Sequence, residues 1–323
     1  MISQWGAKHV IGVVSAASAI IAVAMTDLAA RAQENNWYPS RYGADDEIGA
    51  ANNLSPAGVV KAAQLVKTGK VYSLAIETGP TTPMSEARQF GMLVMAMTPT
   101  GRPMGKNQVT ANDDFLASSL GLGTQLDGFG HIGINYRHYN GVPFEKFYHP
   151  KGIRKFGTEK IPPIVTRGVL LDIAALKNIP LLQAGTAITR ADLLAAMKRQ
   201  HVTVAKGDVV LIHTGWMAVA EADPKKFMSA EPGLNAEAAQ FLIDQGVVAI
   251  GSDNHSLEVM PFENKDDPLP VHQLLLPKNG VYILEFVKTK ELAADEVSEF
   301  LFVLGQPKFV GAVQMVVNPI AIH

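Results

Sequence analysis

The chain has 323 residues, a formal net charge of -2 at pH 7 and no cysteine. This length allows one large domain or two modest ones, each with a real hydrophobic core. A net charge this close to zero does not indicate a basic surface that would bind nucleic acid or an anionic membrane. The absence of cysteine excludes disulfides, thiolate metal sites and a cysteine nucleophile.

The N-terminus holds the most hydrophobic run of the chain. Residues 10–25 carry no charge, Lys8 precedes them, and Ala30-Arg31-Ala32 follows as an A-x-A pattern. This layout predicts a secretory signal peptide over residues 1–32 and a periplasmic or secreted mature protein with no stable membrane association. The alternatives are an uncleaved membrane anchor, although the run is shorter than the ~20 residues that a span needs, and an ordinary buried helix.

No linker, repeat or charge block divides residues 33–323, which are therefore predicted to form a single domain. In chain order, local patterns predict a helix at 56–68, strands at 70–76, 90–97 and 165–173, a helix at 190–200, a strand at 208–213, a helix at 236–245, and strands at 247–250, 281–285, 299–304 and 309–316. The helix starts depend on caps at Ser55, Thr189 and Asn235. Because strands outnumber helices, the predicted fold class is α/β, with a mixed β-sheet or barrel-like core and packed helices.

Several common catalytic and nucleotide-binding motifs are missing from the sequence. Leu126 stands where a dinucleotide fingerprint starting at Gly121 would need its third glycine. The chain also has no Walker A loop, no G-x-S-x-G elbow and no H-E-x-x-H helix. The sequence therefore lacks the motifs that would indicate a serine hydrolase or a zincin.

The segment 121–131, GLGTQLDGFGH, concentrates polar and glycine residues. Gln125 and Asp127 are two residues apart, so an extended backbone would put both side chains on one face. The glycines would then let the chain turn and return His131 to them. Oxygen ligands with one imidazole suit Zn²⁺ or Mn²⁺. From spacing alone, a Gly-rich turn whose polar groups bind backbone amides is an equally good interpretation.

This segment resembles the signature of the cyclase family of metal-dependent hydrolases, H-x-G-T-H-x-D-x-P-x-H, whose members include bacterial kynurenine formamidase and isatin hydrolase. Gly123-Thr124, Asp127 and His131 match the pattern. The pattern's first His falls on Gly121, its second His on Gln125 and its Pro on Phe129. Further similar stretches lie at 169–172, 207–211, 214–216, 251–253, 270–272 and 280–285. The resemblance implies a swivelling β/β/α fold.

The resemblance also implies a metal site. It assigns ligand roles to Asp127, His131, His272 and Glu285, and Gln125 stands at a ligand position with an oxygen that could coordinate. Because two motif histidines are replaced, a single Zn²⁺ or Mn²⁺ held by some of these five residues is favoured over a two-metal site. The implied mechanism is metal-assisted hydrolysis, with His131 or Glu285 as the catalytic group that moves a proton to the leaving group.

Five further residues are candidates for substrate binding. Asp113 and Asp114 precede the motif, His213 and Trp216 follow a predicted strand, and Asp253 lies in a turn after another. Each also has a structural interpretation, such as a polar turn or a core aromatic.

The function that the resemblance implies is hydrolysis of a carbon–nitrogen amide bond in a small molecule. The arylformamidase reaction of tryptophan catabolism, N-formylkynurenine to kynurenine and formate, is the specific expectation, in a homo-oligomer. Alternatives are a lactone or cyclic-amide hydrolase of the same family, or a degenerate, non-catalytic exported binding protein.

Overall fold

The computed structural model describes residues 37–96 and 101–323. The predicted signal peptide, residues 1–32, lies outside the described residues, as does the last residue of the predicted strand 90–97. Within the described ranges, no helix is both long enough and apolar enough to cross a membrane.

The strands and helices of the described residues follow one another along most of the chain. The strands are β1 (Val71–Ser73), β2 (Phe90–Ala96), β3 (Asn112–Ser118), β4 (Gln125–Asp127), β5 (Arg137–His138), β6 (Val142–Pro143), β7 (Ile164–Asp172), β8 (Ala187–Ile188), β9 (Val209–His213), β10 (Gly233–Leu234), β11 (Ala249–Ser252), β12 (Tyr282–Glu285), β13 (Glu299–Leu304), β14 (Gln314–Val316) and β15 (Ile320–Ile322). The α-helices are α1 (Pro56–Ala63), α2 (Phe144–Phe147), α3 (Ile173–Leu176), α4 (Arg190–Gln200), α5 (Met217–Ala222), α6 (Pro224–Ser229), α7 (Ala236–Asp244), α8 (Pro270–Gln273) and α9 (Lys290–Ala294). Short 3₁₀ helices lie at Gly49–Asn53, Tyr139–Gly141 and Thr158–Lys160, and a π-helix at Leu274–Asn279 follows α8.

One mixed sheet of nine strands organises the fold, in the order β1-β15-β13-β7-β9-β11-β12-β4-β14. The central strands β7, β9, β11 and β12 run parallel, and the flanking pairs are antiparallel. Helices pack against this sheet, among them α1 on β7, while α4 packs on α7. The predicted α/β class, with a mixed sheet and packed helices, is therefore confirmed.

The central strands lie in the hydrophobic core. Every residue of Val209–His213 and of Tyr282–Glu285 is buried. Parallel strands that are covered on both faces bury the side chains of both faces. Their sequences are therefore continuous apolar runs and do not alternate between apolar and polar residues.

The three predicted helix caps are present. The Thr189 side chain accepts a hydrogen bond from the backbone N–H of Asp192 at 3.2 Å, and the Asp192 carboxylate accepts one from the Thr189 N–H at 3.0 Å. Ser55 and Asn235 each accept a backbone N–H three residues later, at 3.0 and 2.9 Å. These bonds satisfy N–H groups that have no partner inside the helix.

Three predicted elements are clearly shorter in the structure. Of the strand predicted at 70–76, only Val71–Ser73 is a strand. The helix predicted at 56–68 ends at Ala63. Only Gln314–Val316 of the strand predicted at 309–316 is a strand. Its first part is a turn, in which the Ala312 N–H donates to the Phe309 carbonyl at 3.2 Å and Gly311 has a φ of 80°. The prediction was wrong there because the apolar residues Phe309 and Val310 are exposed and not strand-forming core residues.

The strands β2 and β3 form a separate antiparallel hairpin. Nearly all of its side chains are exposed, including Leu93, Val94 and Phe115. Ser119 and Gln89 close its base through two hydrogen bonds, of 2.9 and 3.0 Å. The hairpin therefore brings the chain directly to the glycine-rich segment that precedes β4.

Candidate metal centre

The strand β4 supplies a buried polar face between β12 and β14. The register places Gln125 opposite Glu285 and Asp127 opposite Gln314. Directly opposite residues of antiparallel strands point to the same side, and residues two apart on one strand do as well. The four polar side chains therefore share one face, while Leu126 between them points into the core.

His272 reaches this face from helix α8. Its Nδ1 lies 2.5 Å from Oε1 of Glu258, a buried carboxylate that also accepts the backbone N–H groups of Val271 and His272 at 3.1 Å. Because Glu258 engages Nδ1, Nε2 is left to face the sheet. It lies 3.3 Å from Oε1 of Glu285 and 3.8 Å from Oδ2 of Asp127.

His131 completes the cluster from the turn after β4. Its backbone N–H donates to the Gly128 carbonyl at 3.1 Å, which folds the chain back toward the strand. Asp127, His131 and His272 each offer a ligand atom within 4.8 Å of the others. Burial lowers the pKa of His131, so its ring is neutral near pH 7 and can act as a ligand or accept a proton.

The Asp127 carboxylate shows that the residues fit a cation. Its Oδ1 accepts amide N–H groups from Gln314 at 2.7 Å and from Gln125 at 3.1 Å. Its Oδ2 is fully buried and has no hydrogen-bond partner among the described residues. A buried carboxylate oxygen without a partner is unfavourable unless a cation or donor meets it. Two carboxylates and two imidazoles form a donor set that suits Zn²⁺ or Mn²⁺.

Gln125 takes part in the cluster through its nitrogen. Its Oε1 accepts a hydrogen bond from Nη1 of Arg88 at 3.1 Å, and its Nε2 donates to Glu285 at 2.7 Å and to Asp127. Arginine only donates and an ionised carboxylate only accepts, so these partners together determine the amide orientation. The oxygen is thus turned toward Arg88, which departs from the expectation that it coordinates the ion.

Gly121 makes room for Gln314. A Cβ atom at position 121 would lie 2.5 to 2.8 Å from the three amide atoms of Gln314. Two glutamine amides therefore stand close to the positions where the family signature has two histidines. Sequence reasoning missed Gln314, Arg88 and Glu258, because each reaches the cluster only through long-range strand pairing or loop packing.

The electrostatics of the cluster favour an added positive charge. Burial and the negative charge of Asp127 raise the pKa of Glu285 to about 7. In His272 burial acts in the opposite direction, but the hydrogen bonds to Glu258 and Glu285 raise the pKa to about 10. Both shifts report carboxylates crowded in a desolvated place, where a cation relieves their repulsion.

A cavity of about 430 Å³ borders His131. The aromatic side chains of Phe144, Phe147 and Tyr148 line it, together with His138. Its size is in the range of small-molecule sites. The cluster therefore has space beside it for an aromatic ligand.

The predicted substrate residues His213, Trp216 and Asp253 have structural contacts. The buried Asp253 carboxylate accepts the Thr214 N–H and hydroxyl at 3.0 and 2.6 Å and lies 3.3 Å from Nδ1 of His213. It thereby joins the loops that follow β9 and β11. Trp216 is buried in an apolar cluster with Phe227, Phe286 and their neighbours.

Asp113 and Asp114 lie on the exposed strand β3, opposite Met95 and Val94. The hairpin carries them outward, so the structure does not bring them to the metal cluster. Their role in substrate binding stays a prediction.

Comparisons with known proteins identify the family. The Cyclase family model matches residues 27–259. A crystal structure described as a novel cyclase shares 32% sequence identity, covers 90% of this chain and 97% of its own, and superposes with a TM-score of 0.80. The chain belongs to the cyclase family, as the signature predicted.

More distant structures share the fold. Isatin hydrolase A from Ralstonia solanacearum is 18% identical, with a TM-score of 0.56 over 83% of this chain and 95% of its own. Isatin hydrolase A from Labrenzia aggregata, bound to benzyl benzoate, is also 18% identical, with a TM-score of 0.58 over 80% of this chain and 94% of its own. No curated protein matches the chain by sequence.

Proposed function

We propose that this chain is a metal-dependent hydrolase that cleaves a carbon–nitrogen amide bond of an aromatic small molecule, as an arylformamidase does. The observation that carries the proposal is the unpartnered Oδ2 of Asp127, which faces His272 and lies in one cluster with His131. Glu285 adjoins this cluster through His272. Asp127, His272 and Glu285 would hold one divalent ion, Zn²⁺ or Mn²⁺. Such an ion supplies Lewis-acid polarisation of a carbonyl and lowers the pKa of a bound water.

The chain's own residues account for the proton transfers. The imidazole of His131, with its lowered pKa, borders the cavity and can accept a proton from the attacking water. The same ring then returns that proton to the departing nitrogen, so the amide and water become a carboxylic acid and an amine. Glu258 keeps His272 in one orientation, and Gln125 and Gln314 hold the second oxygens of Glu285 and Asp127.

The cavity supports an aromatic substrate. Three aromatic side chains line it beside His131, and offset or edge-on ring contacts would retain an aryl group. The specific reaction we propose is hydrolysis of N-formylkynurenine to kynurenine and formate. Because isatin hydrolases share the fold, opening of a cyclic amide is the second candidate.

A hydrolysis screen with metal analysis tests the proposal. The purified mature chain, loaded with Zn²⁺ or Mn²⁺, is assayed against N-formylkynurenine, simple aryl formamides, isatin and lactones, with and without chelator. We expect about one ion per chain and turnover that the chelator abolishes. Bound metal with no turnover of any of these compounds would favour the non-catalytic binding protein and overturn the proposal.

The same protein preparation tests two further proposals. We propose export with removal of residues 1–32, which is supported by the uncharged run and the A-x-A pattern in the sequence. The exposed apolar side chains of the β2–β3 hairpin support a homo-oligomer. The mass of the periplasmic or secreted protein tests the removal of residues 1–32, and sedimentation analysis tests the homo-oligomer. A full-length mass or a monomer at micromolar concentration would contradict the respective proposal.

A further inference from the structure

Arg88 lies beside the metal cluster and is held there by the base of the β2–β3 hairpin. Its backbone N–H donates to the Ser85 carbonyl at 3.0 Å, and the next residue, Gln89, pairs with Ser119. The Arg88 side chain is half-buried and reaches Gln125, which is completely buried. The guanidinium is therefore separated from Glu285 by a single amide group.

The charge of Arg88 has no carboxylate partner in the described part of the chain. No ion pair joins Arg88 to an acidic side chain of residues 37–96 or 101–323. The nearest carboxylates, those of Asp127 and Glu285, bind the opposite end of the Gln125 amide. The oxygen of this amide accepts a hydrogen bond from Arg88, and its nitrogen donates to the two carboxylates. Gln125 thus anchors the guanidinium without neutralising it.

Two imidazoles lie within the electrostatic reach of Arg88. Burial is the main cause of the lowered pKa of His131, and the positive charge of Arg88 adds to it. Burial lowers the pKa of His255, but the carboxylate of Glu231, 2.5 Å from its Nδ1, raises it above the usual value. The positive charge of Arg88 lowers this pKa. His255 follows Asn254, whose carbonyl accepts the Phe286 N–H at 2.8 Å, so it stands next to the end of β12 that carries Glu285. The guanidinium of Arg88 therefore places a positive charge beside the cluster, one amide group away from Glu285.

We propose that Arg88 binds a carboxylate of the substrate. A guanidinium presents five N–H donors in a planar fork that matches a carboxylate with two parallel hydrogen bonds. The contact to Gln125 uses one of these donors and leaves the others available. The inference deepens the proposed hydrolase function and rests on it.

The experiment compares an acid with its neutral ester. The probes are 2-formamidobenzoate, whose carboxylate lies next to the formamide, and its methyl ester. Arg88→Gln retains an N–H donor for Gln125 but loses the charge and the fork. We expect the ratio of kcat/KM for the acid to kcat/KM for the ester to fall about 10- to 100-fold, as for loss of a charge-assisted hydrogen bond. Arg102→Gln, which removes an exposed charge elsewhere, should leave this ratio unchanged.

A second readout separates substrate recognition from a structural role. Metal content should be the same in the wild type and in Arg88→Gln. Loss of metal, or an equal loss of turnover for acid and ester, would overturn the proposal and assign Arg88 to holding Gln125 in place.

A binding measurement keeps the inference testable if neither probe is hydrolysed. Calorimetry with 2-aminobenzoate, the product carboxylate, is made on the wild type and on Arg88→Gln, each with and without metal. We expect binding about 10-fold weaker or more in the variant in both metal states. Equal affinities would overturn the role of Arg88, whereas absent turnover together with Arg88-dependent binding would overturn only the proposed hydrolysis.

Discussion

The amide of Gln314 occupies the space into which a side chain at Gly121 would project. A Cβ atom at Gly121 would lie 2.5 Å from Oε1 of Gln314, while Nε2 of the same amide donates to Oδ1 of Asp127 at 2.7 Å. The absence of a side chain at Gly121 therefore allows Gln314 to reach Asp127. Gln314 holds one oxygen of Asp127 and leaves the other free for an ion.

Substituting Gly121 should therefore weaken metal binding without unfolding the protein. In Gly121→Ala the new methyl group displaces the Gln314 amide, and Asp127 loses its shorter hydrogen bond. We expect the affinity for Zn²⁺ or Mn²⁺ to fall about 10-fold, the lower end for loss of a residue that supports a ligand. Competition with a chromogenic chelator measures it.

Gly79→Ala is the matched control for this substitution. A Cβ at Gly79 meets no atom within 4 Å, so this variant should bind metal as the wild type does. Equal affinities in the two glycine variants would show that the Gln314 contact does not support the site.

The hydrogen bond between Glu258 and His272 predicts a second effect on metal affinity. In Glu258→Gln the carboxylate that holds Nδ1 of His272 is replaced by an amide, so the imidazole becomes a poorer and less well oriented ligand. We expect metal affinity to fall about 10- to 100-fold. Metal titration followed by calorimetry is the measurement, with Glu263→Gln, on an exposed side chain, as control. An unchanged affinity would contradict the orienting role.

Part of the candidate site could be predicted because its geometry is local. The spacing of Gln125 and Asp127 predicted a shared face, and the structure joins their side chains at 3.1 Å. The glycines before His131 predicted a return of the chain, and the structure brings its imidazole to Asp127. Period-two alternation and glycine turns act over a few residues, so the sequence displays them directly.

The remaining contacts depend on pairing between distant segments. Gln314 meets Asp127 across 187 positions because β14 lies beside β4, and no local pattern indicates which strands are neighbours. The same holds for the amide of Gln125, whose orientation depends on Arg88 in an earlier loop. Phe309 and Val310 were predicted to lie in a strand, but both side chains are exposed. An apolar run alone therefore does not indicate burial.

The pair His213–Asp253 predicts a pH-dependent stability. Burial opposes protonation of His213, but the hydrogen bond and charge of Asp253 raise its pKa above the usual value. A group whose pKa is higher in the folded state stabilises the fold fully below its unfolded pKa of about 6.5, and this contribution is lost as the pH rises through the folded pKa. The wild type should therefore exceed His213→Asn in free energy of unfolding by more at pH 6 than at pH 9. Urea unfolding at both pH values measures this difference, and His201→Asn, at an exposed position, is the control. A difference independent of pH would contradict the role of the ion pair.

Substitutions at His131 and Asp127 should separate proton transfer from metal binding. Asp127→Ala removes the unpartnered oxygen that faces His272, so both the ion and the activity should be lost. His131→Gln removes the group that we assign to proton transfer, so kcat should fall at least about 100-fold, as for loss of a general acid–base, while the metal content is retained. Steady-state kinetics on the best substrate of the screen, with metal analysis of the same samples, makes the comparison. If His131→Gln also loses the ion, His131 is a metal ligand, and its assignment to proton transfer is overturned.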